Sequence, residues 1–167
     1  GSLNAVFNID GGTLVSENDA PSVAGTYNGP GSLTIQSAGA NFSSAYSLPT
    51  ATFGSTLGGL TMGKATNTAN VTLGRAISIA GPITVDAGQV SFGSTLTTTA
   101  ANSDITIRAK TNIINTALTT LTTSGGNILL ASNVDDATDG DSTTNGYVRL
   151  QSGLVATSNG GDITLGG

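Results

Sequence analysis

Gly125-Gly-Asn-Ile-Leu-Leu-Ala131 and, 35 residues on, Gly160-Gly-Asp-Ile-Thr-Leu-Gly166 are two copies of one unit. Each has a glycine pair, a short amide or carboxylate side chain, then apolar residues two apart. Glycine supplies backbone conformations that other residues resist, and Asn or Asp bonds nearby backbone in tight turns. Side chains alternate along a strand, so Ile128 and Leu130 share one face, as do Ile163 and Leu165. The unit therefore reads as a corner followed by a strand with one buried face. Asp104-Ile-Thr-Ile107 repeats it upstream, and so, with a different corner, do Ile83-Thr-Val85 and Leu60-Thr-Met62.

The spacing carries more than the motif. From Leu60 to Ile83 is 23 residues, then 22 to Ile105, 23 to Ile128 and 35 to Ile163. A second series runs Leu73, Leu96, Leu118, Leu154, with steps of 23, 22 and 36. A third runs Val90, Ile113, Val148, with steps of 23 and 35. Every long step crosses the polar stretch 135–146, which has 12 residues, so one insertion accounts for all three anomalies. The underlying period is 22–23 residues with three strand positions in each. Self-similarity at such a period signals a solenoid. No segment carries apolar residues at helical spacing. Three short strands per period with turns between them describe an all-β parallel β-helix, in which Ile83, Ile105, Ile128 and Ile163 stack as one internal column. Val85, Ile107, Leu130 and Leu165 form its neighbour. An antiparallel sandwich also uses short alternating strands, but does not produce one period in three phases.

Residues 59–167 form the regular part, with the insertion at 135–146. Residues 1–58 are less periodic: Leu33 to Leu60 is 27 residues. They read as looser coils of the same solenoid, or as a small cap.

Composition narrows the chemistry. The chain has 167 residues and neither Cys, His nor Trp, so thiolate and imidazole catalysis and zinc-thiolate sites are excluded. With 5 basic and 10 acidic residues the net charge is −5, which lacks the cationic face that nucleic acid requires. No apolar run approaches the roughly 18 residues of a membrane span. Gly1-Ser2 and the absence of an initiator Met suggest an excised or processed segment, with a cloning scar at its start.

The segments Thr122-Thr-Ser-Gly-Gly-Asn-Ile-Leu-Leu-Ala131, Thr157-Ser-Asn-Gly-Gly-Asp-Ile-Thr-Leu-Gly166 and Ala100-Ala-Asn-Ser-Asp-Ile-Thr-Ile107 resemble the repeats of filamentous haemagglutinin-like and autotransporter-like bacterial surface adhesins. The very large repetitive adhesins of gliding and biofilm-forming bacteria are similar. The resemblance covers roughly residues 60–167 and is one of period and composition. It implies a right-handed parallel β-helix serving as the stalk of an exported, extracellular protein. Its partners would be flanking repeats of a longer chain and a host or cell-surface glycan or protein. The family has no fixed catalytic residues to carry over.

Four readings of particular residues stand beside that one. The insertion holds four of the ten acidic residues, and Asp135, Asp136, Asp139, Asp141 and Asn145 could supply the oxygen ligands that calcium prefers. The EF-hand pattern is absent, because Thr144 and Leu150 stand where it needs Gly and Glu. The plainer reading is a solvated acidic loop, which would still be the first place to look for a ligand, calcium or glycan. Thr97-Thr98-Thr99 and the threonines 119, 120, 122 and 123 suggest a repeated array that could order water for ice binding, but Val155 and Ala156 interrupt it, and Leu129 interrupts the row Thr61, Thr84, Thr106. Asp104, Arg108, Lys110 and Arg149 are the charged groups open to a polysaccharide-cleaving enzyme. Asp86, Asp104 and Asp162 fall at or beside turns, where backbone bonding explains them, and the basic residues suit solubility and edge protection. The reading is therefore non-enzymatic. Finally, coils with uncapped ends could stack into a surface filament or layer.

Overall fold

The computed structural model describes residues 5–21, 23–48, 51–134, 146–151 and 153–166. These form strands and turns only, wound in successive coils. The first coil contributes β1 (Val6–Asn8) and β2 (Thr13–Glu17), and the second β3 (Thr26–Asn28), β4 (Ser32–Gln36) and β5 (Tyr46–Ser47). The third holds β6 (Thr52–Phe53), β7 (Gly59–Met62) and β8 (Val71–Leu73), and the fourth β9 (Ile77–Ile79), β10 (Ile83–Ala87) and β11 (Val90–Phe92). The fifth holds β12 (Leu96–Ala101), β13 (Ile105–Ala109) and β14 (Ile113–Asn115), and the sixth β15 (Thr119–Ser124), β16 (Ile128–Ala131) and β17 (Val148–Leu150). Strands β18 (Leu154–Thr157) and β19 (Ile163–Gly166) close the described chain.

Each strand pairs in parallel with its counterpart one coil away. The longest sheet runs β19-β16-β13-β10-β7-β4-β2, a five-stranded sheet runs β17-β14-β11-β8-β5, and a four-stranded sheet runs β18-β15-β12-β9. A three-stranded sheet, β1-β3-β6, touches β9 and so extends the four-stranded side. The chain is a parallel β-solenoid. Its first column is continuous, Leu14, Leu33, Leu60, Ile83, Ile105, Ile128, Ile163, as is the column through Val85, Ile107, Leu130 and Leu165. The third series also holds: Val71, Val90, Ile113 and Val148 are in register.

The second series does not hold. Leu73 pairs with Phe92, Leu96 with Ile77 and Leu121, and Leu154 with Thr119, while Leu118 is 73% exposed. The true column is Ile77, Leu96, Leu121, Ala156, with steps of 19, 25 and 35 residues. The total length of a coil is fixed by the longest sheet, but the two corners flanking the four-stranded sheet trade residues. That sheet therefore slides against the period, and β12 and β15 carry a register shift between Thr97 and Ala101. The threonine array changes with it. Thr97 and Thr122 align, but Thr98, Thr119 and Thr123 face inward and are fully buried. Their hydroxyls donate to backbone carbonyls of Ser103, Ala117 and Gly126, which satisfies them inside the core.

The corner before the longest sheet shows why its residue types repeat. Asp104 Oδ1 accepts from the Asn127 N–H at 2.6 Å, and Asn127 Oδ1 accepts from the Asp162 N–H at 2.9 Å. Each side chain thus caps the coil above it. Beside this ladder the backbones approach closely: a Cβ on Gly126 would lie 2.2 Å from the Ser103 carbonyl oxygen.

Burial is graded along the stack. Leu33, Ile83, Ile105 and Ile128 are 0% exposed, whereas Leu14 and Ile163, at the two ends of the same column, are 36% and 45% exposed. Tyr46, on β5, is buried against Phe42 with ring centroids 5.0 Å apart, and its hydroxyl has no hydrogen-bond partner. Burial, with a smaller contribution from Tyr27, pushes its pKa from 10.0 up to about 12. Between pH 10 and 12 the unfolded chain loses this proton before the folded chain does, so stability falls as pH rises through that window. Tyr46→Phe removes an unpaired buried hydroxyl at little cost in shape. Its melting temperature is expected to match or exceed the parent's at pH 7, and to fall less than the parent's between pH 10 and 12. Parallel thermal melts at both pH values check this.

Candidate functional site

In sequence, the insertion falls between β16 and β17. Val134 N–H donates to Ala109 O at 3.0 Å before it, and Tyr147 N–H donates to Asn112 Oδ1 at 3.3 Å after it. β17 then pairs with β14 in unbroken register, so the extra residues leave the ladder intact. The proposed calcium ligands Asp135, Asp136, Asp139, Asp141 and Asn145 lie outside the described residues. Among the described residues no three His, Cys, Asp or Glu side chains come together as a metal site.

Of the groups considered for catalysis, Arg108 and Lys110 line one hollow, and Asp104 and Arg149 stand apart from it. Asp104 precedes β13 and is spent on the corner ladder. Arg108 lies near the far end of the same strand, four residues on, which at a strand's rise is about 13 Å away. Arg149 stands on β17. Among the described residues, Asp104 is not joined at one groove by a second carboxylate as glycoside hydrolysis would need: Asp86 is paired with Arg108 near the far end of its strand.

The sequence reading of Asp86 requires correction. It does not serve a turn: it lies within β10, 8% exposed, directly below Arg108 in the parallel register. Arg108 Nε donates to Asp86 Oδ1 at 2.8 Å and Arg108 Nη2 to Oδ2 at 3.4 Å. This bond holds the guanidinium pKa above its ordinary value, against the opposing effect of burial. Arg108 also stands on a central strand and not at a sheet edge, so edge protection does not explain it.

The carbonyl of Asp86 is held from below. Asn67, 2% exposed, donates from Nδ2 to the carbonyls of Asp86 at 3.1 Å and Ala69 at 3.3 Å. Its Oδ1 accepts from the N–H groups of Phe42 and Ala69. One buried amide thus links three coils. Asn67→Ala removes these partners from the Asp86 carbonyl and the Phe42 and Ala69 N–H groups, while the Ala69 carbonyl keeps the Gly88 N–H, and the expected loss is about 2 kcal/mol, read as a lower urea midpoint.

Asp86 and Arg108 form the rim of a hollow of about 240 Å³ at the corner where the longest sheet turns toward the five-stranded one. Ala65, Ala87, Ala109 and Val134 line it, and Lys110 stands at its edge. On the outer face of the longest sheet, Thr34, Thr61, Thr84 and Thr106 form a single row, ended by Leu129. The neighbouring row carries Glu17, Gln36, Asp86 and Arg108, so the threonines do not extend into a two-dimensional array.

The remaining surface feature is apolar. Of the ten exposed large hydrophobic residues described, nine lie on the end coils. Val6, Phe7, Leu14 and Val15 are at one end, and Tyr147, Leu150, Val155, Ile163 and Leu165 at the other. No described helix is long and apolar enough to cross a membrane. No family model, curated protein or solved structure matches the chain.

Proposed function

We propose that this chain is a structural stalk segment of an extracellular bacterial adhesin. One observation carries the reading: the apolar columns are sealed through the middle of the stack and laid open at both ends. Covering a large aliphatic side chain stabilises by about 1.5–3 kcal/mol, so both end faces favour further coils of the same design. Flanking repeats of a longer chain supply such coils in register. The work of such a segment is mechanical. Seven rungs of the longest sheet, at strand spacing, hold its ends about 29 Å apart, and inter-coil hydrogen bonds and buried columns resist bending. No reactive constellation among the described residues competes with that role.

Two measurements test it. Protease shaving of intact producing cells, followed by mass spectrometry, is expected to release peptides of this chain; recovery only after lysis removes the extracellular assignment. Further 22–23-residue periods are expected in the sequence flanking the segment, and their absence on both sides removes the stalk. The same open ends also support stacking of separate copies. Growth of the sedimenting species with concentration would favour that second reading.

A further inference from the structure

We propose that the hollow beside Arg108 binds a small organic carboxylate, independently of any stalk role. The chain has five cationic side chains, and two of them, Arg108 and Lys110, meet at this one corner. A guanidinium has five N–H donors in a fixed fork. Asp86 takes two of them side-on, through Nε and Nη2, and this fixes the plane of the group. The other three point elsewhere, and the Arg108 side chain is 42% exposed. The Lys110 ammonium has no ion pair among the described residues. Among the described residues that line it, Arg108 and Lys110 against Asp86 give the hollow one net positive charge, in a chain whose net charge is −5.

The hollow's shape follows from the sequence. Ala87 and Ala109 stack in register where neighbouring columns carry Val, Ile or Leu. These two are buried, and Ala65 and Val134 give the hollow its accessible apolar surface beside the two cations. A carboxylate matches the free guanidinium edge with two parallel hydrogen bonds, a geometry that a single-point anion cannot use. The apolar surface of Ala65 and Val134 suits the apolar face of the body that bears it. At about 240 Å³ the space is smaller than a drug-sized pocket, so the ligand is a single ring or a short chain. A terminal sugar acid and a short aliphatic acid share this chemistry.

The test is a titration of the isotope-labelled chain, followed by amide NMR, with sodium glucuronate, sodium butyrate and, as a neutral control, glucose. Saturable shifts at Ala65, Ala87, Ala109 and Lys110 are expected with one or both acids and not with glucose. Saturation by glucuronate alone identifies a sugar acid, by butyrate alone an aliphatic acid, and by both a general carboxylate site. Lys110→Gln is expected to weaken binding at least threefold. The double variant D86N/R108Q removes the pair without stranding a buried charge, and is expected to abolish saturation while keeping the strand-type circular dichroism of the parent. Shifts that remain linear to about 50 mM, equal shifts with glucose, or an unchanged titration in Lys110→Gln would overturn the proposal.

Discussion

Gly81→Ala is expected to lower the stability of the solenoid by about 3 kcal/mol, an overpacking cost at the upper end of the usual range. A Cβ at this position would lie 1.7 Å from the carbonyl oxygen of Gly58 and 2.3 Å from its carbonyl carbon, one coil below. Both are backbone atoms, so no rotamer change relieves the clash. The coils cannot simply part, because Gly81 N–H donates to Leu57 O and Leu60 N–H to Pro82 O immediately beside the contact, at 3.1 and 2.9 Å. Separating the backbones breaks bonds on both sides of the corner. For a chain of this size the loss corresponds to a fall in melting temperature of about 6–12 °C. Gly74→Ala is the control: a Cβ there meets nothing within 4 Å, and its φ is not positive. That variant is expected to match the parent or gain slightly, because alanine has fewer unfolded conformations to lose. Equal melting temperatures for the two variants would refute the close approach of coils at this corner.

Ile105→Ala is expected to cost about 3 kcal/mol, within the usual range for emptying a sealed aliphatic site. Ile105 is 0% exposed, with Ile83 below and Ile128 above in the same column. The hydrogen-bonded ladder holds those neighbours apart, so the space closes only in part. Ile163 occupies the same column at the open end and is 45% exposed. Ile163→Ala is expected to cost under about 1 kcal/mol, because part of the side chain is already in water. Urea melts of the two variants read the difference directly. Equal losses would mean that depth in the stack does not govern stability. Covering the end with a further coil is expected to raise the cost at Ile163 toward that at Ile105.

The period was legible wherever parallel pairing ties one residue to another at a constant offset. The column through Ile83, Ile105 and Ile128 obeys this, as does the one through Val90 and Ile113. The four-stranded sheet does not, because the corners at its two ends exchange residues while their sum stays constant. Leu118 therefore carried the right spacing and the wrong environment. Threonine misled for a different reason. It suits an exposed strand face, yet Thr98 and Thr123 place their methyl groups inside and bond their hydroxyls to corner carbonyls. The Asp86–Arg108 pair had a readable signal: opposite charges 22 residues apart, each three places after a core isoleucine. Treating Asp86 as a turn residue hid it. The hollow beside the pair had none, since it depends on two alanines that composition alone would class as ordinary core.

The unbroken register of β17 on β14 across the insertion has a practical bearing. Extra length is accommodated there, because Val134 and Tyr147, on either side of it, are anchored to the coil beneath. A foreign peptide, epitope or affinity tag spliced there is expected to leave the pairing of β17 on β14 in place. This scaffold thus offers a grafting port whose load is mechanically separate from the beam that bears it.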